Sequence, residues 1–451
     1  MRHRSDLDAS PPVHREMGDS LDRSVFHKSL PVLAARVPSP KAGILLKSEA
    51  LKRCIIDLPK IKSVLSDPTG AKDTRLVLFR VAQEGTVADL PHEARQFLHG
   101  QSADLITHSV DLDYDYWTAD EILHAVLPEE LCDEAPSGFA ITGHIAHINL
   151  NDEYLPYKHL IGQVVLDKNK VVRTVVNKLN SIDAKFRFFK MELLAGDPDY
   201  LVEHHESNCR FVFDFTRVYW NSRLHTEHDR LVQLFQPEDV VADVFAGVGP
   251  FAVPAAKKGC AVLANDLNPD SYLYLKKNID LNRVSDLVRP FCEDGRDFLK
   301  SIMQRAAQQP FPPYKDPKEL KSRSRHAPPP AKTPTSRTES PPRKRISHFV
   351  MNLPDSAIEF LDAFRGILSG GDPERNLSGI YDVMPMVHCH CFTRELEPDK
   401  AAKDIRARVE EKLGYKFTDD DEVSLHLVRS VAPNKEMYCI SFRLPRAVVY
   451  A

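Results

Sequence analysis

The stretch that decides the fold covers residues 240–271, VVADVFAGVGPFAVPAAKKGCAVLANDLNPDS. An apolar run at 240–245 leads into a turn at 246–249, and a second apolar run at 261–264 is closely followed by Asp266. Glycines allow a tight turn and a close approach of backbone N–H groups to a ligand, and an acid at the next strand end suits two vicinal ribose hydroxyls. The stretch therefore predicts a nucleoside-binding β–α–β unit in an α/β fold with a parallel sheet.

The glycine spacing also admits a different class of cofactor. Gly247, Gly249 and Ala252 satisfy the G-x-G-x-x-G/A pattern of dinucleotide sites, so spacing alone does not exclude a dinucleotide. Pro250, however, lacks the backbone N–H that a pyrophosphate would need there. The pattern DxFAGxGxF with an acidic end on the next strand resembles the S-adenosylmethionine site of class I methyltransferases. The resemblance implies cofactor-binding residues around the turn and the next strand end, namely Phe245, Gly247, Gly249, Asp266 and Leu267.

Two further apolar runs predict the third and fourth strands of the same sheet. The third ends at Asp294 and Gly295, where the acid can reach an adenine edge because strand ends converge on the ligand. The fourth, at residues 348–354, places the Asn352 amide and the Pro354 carbonyl where the substrate meets the methyl donor. Amino-group methyltransferases carry Asn/Asp-Pro-Pro-Tyr here, so Asn-Leu-Pro favours a ring nitrogen as the acceptor. The segment offers no cysteine nucleophile, which argues against carbon methylation.

A further motif lies upstream of the glycine turn, at residues 213–230, FDFTRVYWNSRLHTEHDR. Together with FAGVGPF, NDLNP and NLP, it resembles the eukaryotic and archaeal tRNA (guanine-N1)-methyltransferases that modify guanosine 37, next to the anticodon. The resemblance runs from about Val25 to the C-terminus. It implies an α/β, Rossmann-like class I methyltransferase domain with a mixed α+β middle domain and a small N-terminal module. It also implies methyl transfer from S-adenosylmethionine to guanine N1, giving 1-methylguanosine and supporting maintenance of the reading frame.

The family pattern assigns two catalytic roles. It makes Glu227 the general base that takes the proton from guanine N1, and Arg187 the residue that hydrogen-bonds guanine O6. The chemistry agrees, because N1 is protonated at neutral pH and a cation must stabilise the charge that develops on O6. The sulfonium is already activated, so no metal is required. Each residue has a structural alternative: Glu227 as a first-turn acid of a helix at His225–Leu234, and Arg187 as a surface arginine.

For Tyr219 and His228 the sequence allows two interpretations each. The family pattern implies a place against the target base for Tyr219 and a place at the cofactor rim for His228, against the alternatives of a core tyrosine and a helix-face histidine. Trp220 is predicted to be a core residue. The tetrapeptide His-Cys-His-Cys at 388–391 looks like a metal ligand set, but strand alternation places the histidines and the cysteines on opposite faces. We therefore predict a buried strand there, and no metal.

Length and composition set the organisation of the chain. It has 451 residues, a formal charge of −4 and no uncharged apolar run of about 18 residues, which indicates two to four folded units and excludes a membrane-spanning protein. A Pro-, Ser-, Lys- and Arg-rich segment cannot form a packed core and is predicted to be a disordered insertion. A second region begins at 76–83, and within it local patterns predict strands at 144–150 and 161–167 and a helix at 119–128. The predicted divisions are a flexible tail at 1–24, a small tRNA-recognition module at 25–70, a middle α+β domain at 71–200, and the methyltransferase domain at 201–451 with the insertion at about 307–346.

Two rival functions remain open at this stage. The wyosine-pathway transferase moves the aminocarboxypropyl group of the same cofactor to a tRNA base, but it typically carries a longer Asn-Leu-Leu-Pro type motif. A tRNA-binding protein without catalysis should have lost at least one of Asp266, Asn352, Glu227 and Arg187, which are all intact. The resemblance implies tRNA with G37 as the partner, no obligate protein partner and a monomer. It implies a location in the cytoplasm and nucleus, with the mitochondrial matrix as a further compartment.

Overall fold

The computed structural model describes residues 7–82, 90–133, 135–136, 138–182, 189–315, 341–369, 377 and 379–451. The chain divides into two compact units. The first comprises Met1–Ile141, Ile145–Lys178 and Glu192–Pro198, and the second comprises Thr142–His144, Leu179–Met191 and Asp199–Ala451. None of the helices in the described ranges combines the length and the apolar character that a membrane span requires.

The part of the chain before residue 200 forms two four-stranded sheets. Its elements are β1 (His27–Pro38), α1 (Ser39–Lys47), β2 (Val64–Ser66), β3 (Thr74–Ala82), α2 (His92–Gly100), β4 (Asp104–Asp113), α3 (Ala119–Val126), β5 (Ala140–Thr142), β6 (Ile145–Ile148), α4 (Lys158–Lys168), β7 (Thr174–Ile182) and β8 (Phe189–Gly196). The first sheet has the order β2-β3-β1-β4, and β1 is antiparallel to both β3 and β4. The second has the order β5-β6-β7-β8, with β6 and β7 parallel.

The first sheet corrects the predicted boundary at residue 70. β1 lies before that boundary, yet it pairs with β3 and β4 after it, for example at Pro38 against Thr74 and at Val32 against His108. A module at 25–70 would therefore leave β1 without its two partner strands. The composition shift near this point marks a loop, and a change in composition does not reveal which strands pair across it.

The predicted flexible tail is also wrong for its described part. Leu7 is buried in the same core as Trp117, whose Nε1 donates to the carbonyl of Ala9 over 2.8 Å. Arg15 donates to the carbonyl of Leu127 over 2.5 Å, just after the end of α3, where helix carbonyls lack internal partners. Such contacts join residues more than 100 positions apart, so the mixed charge of the segment does not disclose them.

The segment IGQVVLD at 161–167 is predicted to be a strand and lies in α4. The buried residues of this helix are Leu160, Ile161, Gly162, Val164 and Val165. A short, mostly apolar segment fits a buried strand and a buried helix equally, and here the helix packs against α3. The other two local predictions in this part are confirmed by α3 and β6. The start of α3 is fixed by a capping box between Thr118 and Glu121.

The second unit contains a seven-stranded sheet flanked by helices, together with a separate two-stranded sheet formed by its first two strands. Its elements are β9 (Leu201–Glu206), β10 (Cys209–Asp214), α5 (His225–Leu234), β11 (Val240–Asp243), α6 (Ala252–Lys258), β12 (Ala261–Asn265), α7 (Pro269–Leu281), β13 (Val288–Phe291), α8 (Gly295–Gln308), β14 (His348–Met351), β15 (Met386–Thr393), α9 (Pro398–Leu413), β16 (Ser424–Ala432), β17 (Lys435–Arg443) and α10 (Arg446–Val449). The sheet has the order β13-β12-β11-β14-β15-β17-β16. Neighbours from β13 to β15 are parallel, whereas β17 is antiparallel to both β15 and β16.

The strand order fixes where a ligand can bind. The chain proceeds outward from β11 to β13 on one side and then crosses to β14 on the other, so the order reverses beside β11. Ligands of doubly wound sheets bind outside the carboxyl ends of the strands at such a reversal. Every residue of β11 and β12 is buried, as expected for central parallel strands covered on both faces. The predicted α/β class I methyltransferase fold is confirmed.

The edge strand β16 is irregular. Its pairing with β17 shifts register between Leu427 and Arg429 and again between Ser430 and Ala432. Leu427 and Val431 are exposed on this strand. β-bulges of this kind increase the local twist and interrupt the row of backbone groups along a sheet edge.

The predicted insertion is shorter than 307–346. Phe311 is buried in the sheet's core, and its backbone pairs with Arg343 through two hydrogen bonds of 2.9 Å. The Arg343 guanidinium also donates to the carbonyls of Pro237 and Gly259. Ile346 is fully buried. Phe311 and Arg343 thus anchor the two flanks of a segment whose composition indicated no packing. Residues 316–340 lie outside the described residues.

Candidate active site

The glycine turn between β11 and α6 begins the site. Gly247 has φ +54° and Gly249 has φ +100°, a left-handed conformation that residues with a Cβ rarely adopt. A Cβ on Gly249 would lie 2.9 Å from Leu275 of α7, whereas one on Gly247 would meet no atom within 4 Å. Gly249 is therefore required for packing, and the backbone at Gly247 faces open space into which a ligand fits.

Two polar residues at the end of β12 complete the turn. Asp266 accepts hydrogen bonds from the amides of Gly247, over 2.8 Å, and Asn268, over 2.9 Å. Asn265 is buried, and its side-chain amide donates to the carbonyls of Val244 and Glu293. Asn265 thereby ties the ends of β11 and β12 to the segment after β13. The predicted place of Asp266 beside the turn agrees with this geometry, while its contact with a ribose stays a prediction.

A carboxylate lies buried at the end of β11. Asp243 is 0% exposed, and no described residue donates to its oxygens in good hydrogen-bond geometry, the backbone N–H of Phe245 being the donor nearest in effect. Burial, and then the charge of Asp266, raise the pKa of Asp243 to about 8, and the charge of His390 and the Phe245 N–H offset only part of this rise. A buried acid without a partner is unfavourable unless a ligand supplies a donor or a positive charge. The amino group of S-adenosylmethionine meets this requirement, so the residues fit the cofactor.

The fourth predicted strand, β14, delivers Asn352 to the same edge of the sheet. The Asn352 side-chain oxygen is buried and accepts no hydrogen bond from a described residue. The Pro354 carbonyl accepts a 3.1 Å hydrogen bond from the Phe392 amide of β15, and the Leu353 carbonyl accepts from Ala357. These bonds fix the Asn-Leu-Pro segment. Pro354 therefore anchors the segment to β15, and its contact with substrate stays a prediction.

The residues after β13 approach the turn closely. A Cβ on Gly295 would lie 2.8 Å from the ring of Phe245, which also makes an edge contact with Phe360 at 5.0 Å. Asp294 caps the start of α8 by accepting from the Arg296 amide over 2.8 Å. Leu267, after β12, is exposed. Asp294 thus has a structural function, and its contact with adenine and that of Leu267 with the cofactor stay predictions.

Glu227 lies in the first turn of α5 and is 3% exposed. Its two oxygens accept from the Arg230 guanidinium over 2.6 and 2.8 Å, and Oε1 also lies 2.7 Å from His390 Nε2. Burial raises the pKa of Glu227, but hydrogen bonds from Arg230 and His390 outweigh it and lower the pKa to about 2. Glu227 is therefore an ionised carboxylate, and a guanine N1–H has to compete with these partners for one oxygen.

The same carboxylate belongs to a group of possible metal ligands. Ligand atoms of Glu227, His390 and Cys439 lie within 4.8 Å of one another, and all three residues are buried. The Arg230 guanidinium, however, occupies both oxygens of Glu227, and its positive charge opposes a cation at this place. The alternation predicted for β15 is confirmed, since Cys389 and Cys391 lie in the sheet's core and the histidines contact polar groups.

The remaining predicted residues of the motif at 213–230 divide between surface and core. Tyr219 is 43% exposed, which leaves its ring accessible to a base, whereas Trp220 is 6% exposed and packs on Phe213 with ring centroids 4.8 Å apart. His228 is buried. Its Nδ1 lies 2.5 Å from Glu206, and its ring makes an edge contact with Phe251 of the glycine turn at 4.7 Å. His228 thus supports the turn, and Arg187 lies outside the described residues.

The structure adds four residues that sequence reasoning did not place in the site: Asp243, Asn265, Arg230 and His390. Asp243 carries a signal, because it is the one charge in the apolar run at 240–245. The sequence gives no such signal for His390, since its partner Glu227 is 163 residues away in the chain.

Comparison with known proteins extends to the whole chain. Residues 202–308 match the family model of the TRM5/TYW2 methyltransferase domain, and residues 119–199 match that of the TYW2 N-terminal domain. The tRNA (guanine(37)-N(1))-methyltransferase of Coprinopsis cinerea is 60% identical over 459 residues, which cover 98% of each chain. The proteins of the same name from Saccharomyces cerevisiae and Schizosaccharomyces pombe are 46% and 45% identical, covering 97% and 96% of this chain and 95% of each relative.

Two solved structures share the fold. Trm5b from Pyrococcus abyssi gives a TM-score of 0.57 at 23% identity, covering 91% of this chain and 99% of that one. The complex of aTrm5 and tRNALeu gives 0.60 at 20% identity, covering 92% and 100%. The curated relatives, which match from end to end, identify the chain as a member of the tRNA (guanine(37)-N(1))-methyltransferase family.

Proposed function

We infer that this protein transfers the methyl group of S-adenosylmethionine to N1 of guanosine 37 in tRNA, giving 1-methylguanosine. The observation that carries the inference is the 60% identity over 98% of both chains with a relative of that name. The geometry agrees with it. The second unit brings a nucleoside turn, the unpartnered Asp243 and Asn352, and the ionised Glu227 to one folded domain.

The chain's residues supply binding and proton transfer. When bound, the cofactor supplies an activated methyl group on a sulfonium. The N1 lone pair forms the new bond to the methyl carbon while the carbon–sulfur bond breaks and sulfur keeps its electron pair. The N1 proton passes to the carboxylate of Glu227. A carboxylate of low pKa suffices, because N1 becomes strongly acidic as its bond to carbon forms.

Methyl transfer is favoured over aminocarboxypropyl transfer. The family model for residues 202–308 covers both kinds of enzyme, but full-length relatives from eight fungal genomes at 41–60% identity are all named tRNA (guanine(37)-N(1))-methyltransferase. The intact Glu227 and Asn352 also speak against a tRNA-binding protein without catalysis.

A transfer assay tests the function directly. The chain is incubated with labelled S-adenosylmethionine and two tRNA transcripts that differ only in G or A at position 37, and nucleosides are identified by mass. We expect 1-methylguanosine with G37 and no product with A37. Aminocarboxypropyl-guanosine, or equal labelling of both transcripts, would contradict the assignment.

The Glu227→Gln variant tests the base. We expect its single-turnover rate to fall by about 10²–10⁴-fold, as for the loss of a general base, with S-adenosylmethionine affinity within about threefold of wild type. Asp239→Asn is the matched control, because Asp239 also pairs with a histidine in the same unit but lies just before β11, at the opposite end of the strand from the site; its rate should stay near wild type. An unchanged rate in Glu227→Gln would exclude Glu227 as the base.

Two further properties complete the proposal. We propose that the chain acts as a monomer without an obligate protein partner, which light scattering coupled to size-exclusion chromatography tests; a mass of twice the 51.0 kDa chain would contradict it. We also propose that it works in the cytoplasm and nucleus, with a share in the mitochondrial matrix. Tagged protein expressed from its own promoter and compared with compartment markers tests this.

A further inference from the structure

His390 lies beside the base and has no assigned role. It is 0% exposed on β15, and its Nε2 lies 2.7 Å from Oε1 of Glu227. Because Glu227 is ionised and can only accept, the hydrogen on this bond belongs to His390 Nε2. Arg230 holds the same carboxylate from α5 through two further bonds. The carboxylate is therefore fixed from two directions by groups on different elements.

The charged and titratable groups around this pair come from five elements. They are Arg230 on α5, Asp243 on β11, His388 on β15, His426 on β16 with Nε2 at 3.8 Å from Glu227 Oε2, and Cys439 on β17 opposite His390 in the strand register. Burial lowers the pKa of His390, but Cys439 and Glu227 raise it to about 10. Burial also lowers the pKa of His388 well below its usual value, so His388 is neutral.

We propose that His390 is a positioning residue for methyl transfer, whose Nε2–H holds the Glu227 carboxylate in the orientation from which it takes the guanine N1 proton. The inference rests on the proposed function, in which Glu227 is the base. His390 touches neither substrate nor cofactor in this role and forms no covalent bond. A charge-assisted hydrogen bond in a buried site fixes the acceptor strongly, and small misplacements of a catalytic group reduce rates steeply.

The chain offers matched variants for a test. His390→Phe removes the donor and keeps a ring. His390→Gln keeps an N–H donor near the ε position; the ring's other polar neighbour is the Cys439 thiol, and Nδ1 makes no hydrogen bond with a described residue. His388→Phe is the control, since His388 lies two residues away on the same face, is equally buried and bonds Ser441 rather than Glu227.

Single-turnover rates with saturating S-adenosylmethionine and G37 tRNA measure the effect. We expect His390→Phe to lower the rate by about 10–100-fold, the size of a misplaced catalytic group. His390→Gln should recover the rate to within about threefold of wild type, because the donor is kept. His388→Phe should lower the melting temperature as His390→Phe does, yet leave the rate within about threefold of wild type.

Rescue by the conservative variant separates positioning from a general loss of stability. His390→Gln restores an N–H donor to Glu227 but not the aromatic packing of His390, whereas His390→Phe keeps a ring and lacks the donor. A rate that follows the donor, and not the melting temperature, therefore reports the position of the carboxylate. All rates are measured at one pH and at a temperature where every variant is folded.

Three results would overturn the inference: a rate for His390→Phe within twofold of wild type, a rate for His390→Gln as low as that of His390→Phe, or equal rate losses in His390→Phe and His388→Phe. A wild-type chain that makes no 1-methylguanosine would instead overturn the proposed function. The two failures are therefore distinguishable within one set of measurements.

Discussion

At the scale of single residues, Asp243 makes the sharpest prediction about cofactor binding. The Asp243→Asn variant keeps the volume of the side chain but cannot release a proton to become a carboxylate opposite the ammonium group of the cofactor. S-adenosylmethionine should therefore bind about 10–100-fold more weakly, as expected for the loss of a hydrogen bond to a charged group. Titration calorimetry at pH 7.5 measures the dissociation constant. Methylthioadenosine, which lacks the amino acid portion, is the control ligand and should bind both proteins equally. A parallel loss for both ligands would place Asp243 away from the amino group.

The same residue predicts a pH dependence of stability. The pKa of Asp243 rises from 3.8 to about 8 on folding, so the folded chain keeps a proton that the unfolded chain loses. The free energy of unfolding of the cofactor-free protein should therefore fall as pH rises from about 4 to about 8, by up to about 1.4 kcal/mol per pH unit from this group. Asp243→Asn lacks this contribution. Melting temperatures of both proteins between pH 5 and 9 should diverge up to pH 8 in favour of the variant, and a constant difference would contradict the prediction.

Residues of the site differed in how far the sequence could predict them. Asp266 and Asn352 follow strands of a recognisable pattern, and sheet topology then brings them to one edge. His390 could not be found in this way. The sequence around a histidine in a buried strand looks the same whether its ring bonds a neighbour in the core or a catalytic carboxylate. The carboxylate here lies on a helix that only the tertiary structure brings near.

At the scale of elements, the pairing of Phe311 with Arg343 makes a prediction about the insertion. Phe311→Ala should lower the free energy of unfolding by about 3 kcal/mol, because it empties a buried aromatic position in the sheet's core. Replacing residues 316–340 by a short Gly-Ser linker is the matched control and should leave stability and methyl transfer within error of wild type, since both flanks pair without them. Urea unfolding measures both. A neutral Phe311→Ala, or a linker variant that unfolds, would contradict the prediction.

The N-terminal segment makes a second prediction at this scale. Deleting residues 1–24 removes buried Leu7 and the acceptor for Trp117 Nε1, which leaves a buried donor unsatisfied. We expect a loss of about 2–4 kcal/mol from the lost apolar burial and the unmet hydrogen bond together. Deleting only residues 1–6 is the control and should be neutral. Equal stabilities of the two deletions would mean that the segment contributes nothing to the core.

Helices whose apolar residues recur at the helical period were predicted from the sequence, whereas elements that depend on distant partners or lack such a period were not. α5 was predicted at its observed bounds and α3 within two residues of them. The strand prediction for 161–167 failed because seven mostly apolar residues are too few to show a period that separates a strand from a helix. The boundary at residue 70 failed because β1 finds its partners beyond a loop.

At the scale of the whole molecule, the two units predict separate responses to the cofactor. Each unit has its own buried core, and the residues that fit the cofactor belong to the second. Binding stabilises only the folded unit that binds, by mass action. Scanning calorimetry should therefore resolve two transitions, of which S-adenosylmethionine raises one and leaves the other. A single transition that moves as a whole would show that the units unfold together.

The irregular edge strand β16 has a consequence for the chain in crowded surroundings. An open sheet ends in a row of free N–H and C=O groups that can template a strand from another molecule, which is a common start of aggregation. The two register shifts in β16 break that row into short pieces, so an incoming strand can form few consecutive bonds. We therefore expect the exposed Leu427 and Val431 to contribute little to the joining of copies along this edge.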